Sequence, residues 1–412
     1  MKAMDLRKDC EYIVSRAIER VQPDAAVRRA LDGRDFAGGK LILVSVGKAA
    51  WTMADAAWNT LGGRIDAGIV ITKYGHSKGG IGPLAIREAG HPVPDENSFA
   101  AAREALGLTE GLREEDTVLF LLSGGGSALF EAPLVPPEEL QDITSQLLSS
   151  GADIVEMNTL RKRLSAVKGG RFALHCAPAK VFSVVLSDII GDPLDMIASG
   201  PAYPDQSTSG QALAIAEKYS LRLSEQARAC LAKETPKTLS NASAMVTGSV
   251  RELCLAAGEA CRELGYRVIQ LTDCLDCEAR EAGRFLASVA RSNQNAGGPL
   301  AFIAGGETVV HLTGCGKGGR NQELALAAAP GIAGLERTAV FSLGSDGTDG
   351  PTDAAGGFVD GHSAEKLTAL GLDVFQVLRE NDAYHALRGI DGLIRTGATG
   401  TNVNDVSIVL IR

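Results

Sequence analysis

The segment Ser123-Gly124-Gly125-Gly126-Ser127 is the part of the chain best suited to hold an oxyanion. Three consecutive glycines leave backbone N–H groups unshielded and able to form an anion-binding nest, and the flanking serines add hydroxyl donors. Lys48, in Gly47-Lys48-Ala49-Ala50, lies where a strand turns into a helix, so its ammonium would sit beside the helix N-terminal amides. That arrangement suits phosphate or carboxylate, although the position also suits an ordinary surface lysine. Neither segment is a P-loop, because Ile42 stands where that motif needs glycine and Ala49 where it needs Ser or Thr. The dinucleotide fingerprint G-x-G-x-x-G is also incomplete, since Ala128 and Leu129 follow Ser127.

Four further segments carry polar chemistry. Gly316-Lys317-Gly318-Gly319-Arg320-Asn321-Gln322-Glu323 reads as a basic and amide cluster at a glycine-fronted helix start, preceded by Glu307 in Gly305-Gly306-Glu307. An arginine there can fork onto a carboxylate or stabilise a transferring phosphoryl group, while helix capping accounts for only one of Asn321 and Glu323. The run Ser345–Asp353 places Asp346, Asp349 and Asp353 within eight residues, and carboxylates so close repel unless a cation compensates them. Magnesium is the cation that this suggests, in a site that is not an EF-hand. Asp188, after the strand pattern Val181–Leu186, can hold magnesium or accept a proton, whereas Asp192 before Pro193 more often caps a turn. Residues 158–171 gather Arg161, Lys162, Arg163, Lys168 and Arg171 without an acid among them, which suits a polyanion such as a nucleotide or, equally, a solvated helix face. His91 can bind substrate or mark a rigid turn, and the lone Cys274-Leu275-Asp276-Cys277 lacks the partners that a zinc site needs.

The elements that must position these residues are short buried-strand runs alternating with helical stretches. Strands are predicted at Leu41–Val46, Gly68–Ile71, Val118–Leu122, Val181–Leu186, Arg267–Leu271, Leu300–Ala304, Ala339–Leu343 and Val406–Ile411, with helices at Glu138–Leu148 and Glu323–Ala329. The alternation implies an α/β protein with open, largely parallel sheets whose ligands sit at the carboxyl ends of the strands. A length of 412 residues implies more than one core, and the aperiodic stretch Lys233–Ser243 suggests a linker. The expected domains are therefore 1–240 and 241–412. A net charge of -9 and only 5% aromatic residues give nucleic acid no electrostatic or stacking support and disfavour anionic membranes. Scattered cysteines, no apolar run of membrane-spanning length and no secretory signal pattern point to a cytoplasmic protein.

Eight segments together resemble the glycerate 2-kinase family: VGKAA (46–50), GHPVPDENS (90–98), LLSGGGSALFEAP (121–133), NTLRKRLSAVKGGR (158–171), SDIIGDPLDMIASGP (187–201), GGETVV (305–310), GKGGRNQELAL (316–326) and SDGTDGPTDAAGG (345–357). The carboxy-terminal part resembles the MOFRL domain. The resemblance implies transfer of the γ-phosphoryl group of ATP to the 2-hydroxyl of D-glycerate with Mg2+. It also implies two different α/β domains, the amino-terminal one Rossmann-like and the carboxy-terminal one smaller, with the active site in the cleft between them. Lys48 and Arg320 match the charged residues expected to carry catalysis, on the transferring group or the glycerate carboxylate. Ser123, Gly124, Gly125, Gly126 and Ser127 are expected on ATP phosphates, with Asn321, Glu307 and Asp346 completing the substrate contacts. Asp188 is expected on the metal or the reacting hydroxyl, and Asp346 and Asp349 on the metal. Partners beyond these small molecules are not implied, and a homo-oligomer is compatible. The competing readings are an NAD(P)-dependent hydroxypyruvate reductase and a non-catalytic sugar-acid or nucleotide sensor.

Overall fold

The computed structural model describes residues 5–36 and 38–412, which divide into two compact units. The first comprises Ala26–Leu186 and Asp192–Thr247. Its sheet contains β1 (Leu41–Val46), β2 (Ala67–Lys73), β3 (Ala85–Ala89), β4 (Thr117–Leu122), β5 (Lys180–Leu186) and β6 (Ala242–Gly248), in the order β3-β2-β1-β4-β5-β6. β1 pairs in parallel with β2 and β4, β2 with β3, and β4 with β5. Because helices cover both faces of such a sheet, its central strands are buried and almost wholly apolar: every residue of β1 is buried, Ser45 being its one polar residue, and Val118, Leu119, Phe120 and Leu121 of β4 are fully so. This strand order is that of a doubly wound Rossmann-type sheet, and its direction reverses between β1 and β4. The loops that leave these two strands carry Lys48 and Ser123–Ser127.

The second unit comprises the described residues up to Ala25, Ser187–Gly191 and Gly248–Arg412. Its sheet is ordered β11-β10-β9-β12-β8-β7, from β7 (Arg267–Leu275), β8 (Leu300–Gly306), β9 (Thr338–Gly344), β10 (Gly356–Asp360), β11 (Leu393–Ile394) and β12 (Asp405–Ile411). β7 and β8 are parallel, but β12 is antiparallel to both β8 and β9, and β10 is antiparallel to β9 and β11. Four strands therefore run one way and two are reversed. The reversed strands are the two reached through irregular loops, 345–355 and 395–404, and a strand entered without a crossover helix is free to return antiparallel. The helix Leu6–Arg20 buries Cys10, Ile13, Val14 and Ala17, at helical spacing, against Leu253 and Ala257 of the helix Val250–Glu263 and against Phe341 and Ile408 of the sheet. Among the described residues no helix is long and apolar enough to cross a membrane.

A single cut at 240/241 does not describe this division. Residues up to Ala25 and Ser187–Gly191 group with the second unit, and the first runs on to Thr247. The supposed linker is structural: Thr235 Oγ1 donates to Asp205 Oδ2 at 2.7 Å, Asn241 Nδ2 donates to the Ala173 and Ala179 carbonyls, and β6 then completes the first sheet.

Candidate active site

In the first unit, the loops after β1 and β4 are pressed together. Lys48 N donates to Gly124 O at 2.9 Å and Ala49 N to Ser123 Oγ at 3.1 Å, while Ser123 Oγ reaches Val46 O at 3.4 Å. Contact is so close that a Cβ on Gly47 would lie 2.2 Å from Ser123 Oγ. The Ser123 hydroxyl is thus engaged within the loops and buried, which makes it a tie between them. Lys48 is exposed, and its ammonium has no partner among the described residues. Gly125 has φ +87, a conformation that glycine adopts without cost, and a Cβ there would meet His91 Nε2 at 3.1 Å and Lys48 Cγ at 3.3 Å. The loop therefore gathers Lys48, His91 and the Gly124–Gly126 backbone. Burial depresses the His91 pKa, and Lys48, Lys73 and His76 push it the same way, so the surroundings favour the neutral imidazole.

Ser127 leads into a polar chain that the sequence did not reveal. Its Oγ lies 3.3 Å from Ser199 Oγ, which donates to Asn158 Oδ1 at 2.7 Å. Ala198 and Ser199 have φ of +50 and +61, in the left-handed region that costs non-glycine residues about 1 kcal/mol or more each. The remaining basic residues of 158–171 are neither solvated nor open to a polyanion. Lys162 bonds Asp195 and Asp205, Arg163 bonds Ser207 and Glu234, Lys168 pairs with Glu131 at 2.8 Å, and Arg171 donates to two carbonyls. Those acids come from distant segments. Of the five cations in this run, Arg161 alone has no hydrogen bond or ion pair from its guanidinium among the described residues.

In the second unit, Arg320 opens the helix Arg320–Ala328 at the carboxyl ends of β8 and β9. Its Nε donates to Asp405 Oδ2 at 2.6 Å, its Nη2 to Asp405 Oδ1 at 3.0 Å and its Nη1 to Glu307 Oε1 at 2.6 Å. Burial works against the Arg320 charge, but the two carboxylates outweigh it and raise the pKa. Asp405 is pushed up to about 6 by burial, with Arg320 pulling it down and Asp349 adding to the rise. Asp346 lies close by: a Cβ on Gly344 would be 3.3 Å from Asp346 Oδ1 and 3.4 Å from Asp405 Oδ1. Asp405 was missed as a site residue, and the only sequence signal was the polar loop leading into the last strand.

Two expected site residues have other work. Asp349 is buried, and its Oδ1 and Oδ2 accept from the Asn321 and Gln322 backbone N–H groups at 3.1 and 2.9 Å and from both side-chain amides. It caps the start of the Arg320 helix with a carboxylate, which both the free amides and the helix dipole favour. Asn321 is buried too, with its Oδ1 accepting from Ser342 Oγ at 2.5 Å. In this structure Asp349 therefore caps the helix and Asn321 is held between Asp349 and Ser342. Among the described residues no three His, Cys, Asp or Glu side chains form a group placed to hold a metal ion.

A doubly wound sheet with a glycine-rich loop and an exposed lysine at its switch point, joined in sequence to a second α/β unit, has the layout of an α/β enzyme whose ligand sits at the carboxyl ends of the strands. The domain of unknown function DUF4147 matches residues 9–232 and the MOFRL family residues 300–405. The chain is 54% identical to the D-glycerate 2-kinase of Thermotoga maritima over 98% of each chain, and 39% identical to a putative hydroxypyruvate reductase of Agrobacterium vitis over 98% of this chain and 94% of that one. The crystal structure of the Thermotoga maritima glycerate kinase superposes with a TM-score of 0.94 over 99% of both chains. The chain belongs to the glycerate 2-kinase family.

Proposed function

We propose that this enzyme transfers the γ-phosphoryl group of ATP to the 2-hydroxyl of D-glycerate, giving 2-phosphoglycerate and ADP. The observation that carries this reading is the unpartnered Lys48 held against the glycine loop at the β1/β4 switch point, in a chain with full-length likeness to a D-glycerate 2-kinase. Phosphoryl transfer needs positioning and charge neutralisation more than covalent chemistry. The Gly124, Gly125 and Gly126 amides and the Ser127 hydroxyl hold phosphate oxygens, Ser123 fixes the loop, and Lys48 neutralises the transferring group. Arg320 has N–H groups beyond the three that bind Asp405 and Glu307, which leaves it donors for an anionic ligand oxygen.

Magnesium fits the residues around Arg320. Glu307, Asp405 and Asp346 outnumber the one guanidinium, and Asp346 Oδ2 accepts no hydrogen bond among the described residues. Mg2+ is commonly held by one or two carboxylates together with substrate phosphates and water, so Asp346 would hold it, with Asp188 as the further carboxylate expected there. The ion would offset phosphate charge.

Phosphorus NMR of the protein with ATP, Mg2+ and D-glycerate tests the reading, run beside hydroxypyruvate with NADPH followed by absorbance. A growing 2-phosphoglycerate resonance with ADP is expected. Loss of NADPH absorbance without a phosphoester would replace the kinase with the reductase named among the relatives, and binding without turnover in either arm would leave a sensor.

A further inference from the structure

The first unit holds a cavity of about 490 Å3 whose wall includes Pro92, Val93, Ser127, Glu131, Thr144 and Arg161. Two of its groups are unsatisfied. The Arg161 guanidinium makes no hydrogen bond or ion pair among the described residues, and Glu131 Oε1 is buried without a hydrogen-bond partner. The other Glu131 oxygen is held by Lys168, whose ammonium is saturated by Glu131 Oε2, Ser127 O and Phe130 O at 2.8, 2.8 and 2.9 Å. Two cations and one carboxylate leave a single uncompensated positive charge beside the cavity. One carboxylate neutralises it, whereas a triphosphate brings several charges that this wall cannot match.

Arg161 presents the planar fork that binds a carboxylate edge-on, and the orphaned Glu131 oxygen calls for a donor such as a hydroxyl. A molecule that supplies both is a small hydroxy acid. We infer that this cavity is the acid subsite of the enzyme, with Arg161 binding the substrate carboxylate and Glu131 Oε1 accepting a hydrogen bond from one of its hydroxyls. The inference rests on the kinase reading for the identity of the acid. Burial depresses the Arg161 pKa, with only Glu131 opposing it, so a bound carboxylate also relieves the cation. Ser127 belongs both to this wall and to the glycine loop, which brings the acid beside the loop assigned to ATP phosphates.

The test is steady-state kinetics of Arg161→Met and Arg161→Lys, with calorimetric titration of D-glycerate and of its neutral amide. Loss of a charge-assisted fork is expected to raise the KM for D-glycerate about ten- to a hundredfold in Arg161→Met, with the KM for ATP and the melting temperature unchanged. Arg161→Lys keeps the charge and recovers part of the loss. Wild-type protein is expected to prefer glycerate to glyceramide, and Arg161→Met to lose that preference. Propanoate, which has the carboxylate but no hydroxyl, is expected to bind the wild type more weakly than glycerate. An unchanged KM for glycerate, or a rise confined to the KM for ATP, would overturn the assignment. If Arg161→Met does not fold, Arg161→Lys alone decides, since an unaltered KM there overturns it as well. Wild-type protein that binds glycerate through Arg161 but forms no 2-phosphoglycerate would sink the kinase reading and leave the subsite standing.

Discussion

Arg320 and Asp405 face each other fork to fork, joined by bonds of 2.6 and 3.0 Å, although they are 85 residues apart in the chain. The pair fixes the plane of the guanidinium, and Glu307 holds its third nitrogen. Arg320→Lys preserves the charge but loses the fork. The kcat is expected to fall by about 10²- to 10³-fold, the scale of removing one transition-state donor, with circular dichroism unchanged. A variant within a few-fold of wild type would remove Arg320 from the reaction.

The same pair sets a pH dependence. Asp405 is pushed up to about 6, so its carboxylate gains a proton as the pH falls through that value and the ionic half of the grip is lost. The kcat profile is expected to show an acid limb near pH 6 that Asp405→Asn abolishes while lowering the plateau. For stability the sign is opposite to that of an ordinary paired carboxylate. Between the ordinary value of 3.8 and about 6 the folded state binds the extra proton, so this group's contribution is present at the lower pH and lost as pH rises through the window. Urea melts of wild type and Asp405→Asn across pH 4–7 measure the difference.

Lys48 is exposed and unpaired, so nothing in the fold depends on its ammonium. Lys48→Ala is expected to change stability by less than about 0.5 kcal/mol, the range of ordinary surface substitutions, while turnover falls at least about a hundredfold. Unaltered kcat and unaltered ATP and glycerate KM values would exclude Lys48 from the site.

Gly125→Ala places a methyl group 3.0 Å from His91 Cδ2 and 3.3 Å from Lys48 Cγ in a left-handed conformation. The backbone strain costs about 1 kcal/mol, and the displaced Lys48 stem misdirects its ammonium. A larger loss in kcat than in stability is the expected signature, read from kinetics alongside thermal melts.

Asp349→Ala removes the acceptor for four N–H groups at a buried helix start. Leaving these donors unpaired is expected to cost about 3–5 kcal/mol in a denaturant melt, with activity falling because Arg320 is the first residue of that helix. An unfolding midpoint equal to that of wild type would contradict the capping role.

The parts of the site legible in the sequence are those made by neighbours in the chain. Lys48 and Ser123–Ser127 each follow an apolar run within a few residues, so the strand end and the polar loop are visible together. Arg320 was legible as a cation at a helix start, but its partner Asp405 was not, because β12 is brought beside β8 only by sheet pairing. The basic run 158–171 misled for the same reason. Its sequence contains no acids, yet Glu131, Asp205 and Glu234 fold back onto it and bury the charges. The capping role of Asp349 was not legible either, because the helix start that it caps lies 28 residues earlier in the chain. Strand positions survive such errors because buried apolar runs report burial directly; the direction of β10 and β12 does not, since it depends on the connections between strands.

The helix Leu6–Arg20 leaves the ribosome well before the surface that covers its apolar stripe, which includes the helix Val250–Glu263 and strands beyond it. At synthesis rates of about 5–20 residues per second, roughly 230 intervening residues keep that stripe waiting on the order of 10–50 s. The first unit can gather its own sheet during the interval, but the second draws on segments that flank the first and cannot close until its strand Asp405–Ile411 has been made. A nascent chain stalled before Val250 therefore exposes an unmatched amphipathic helix at Leu6–Arg20.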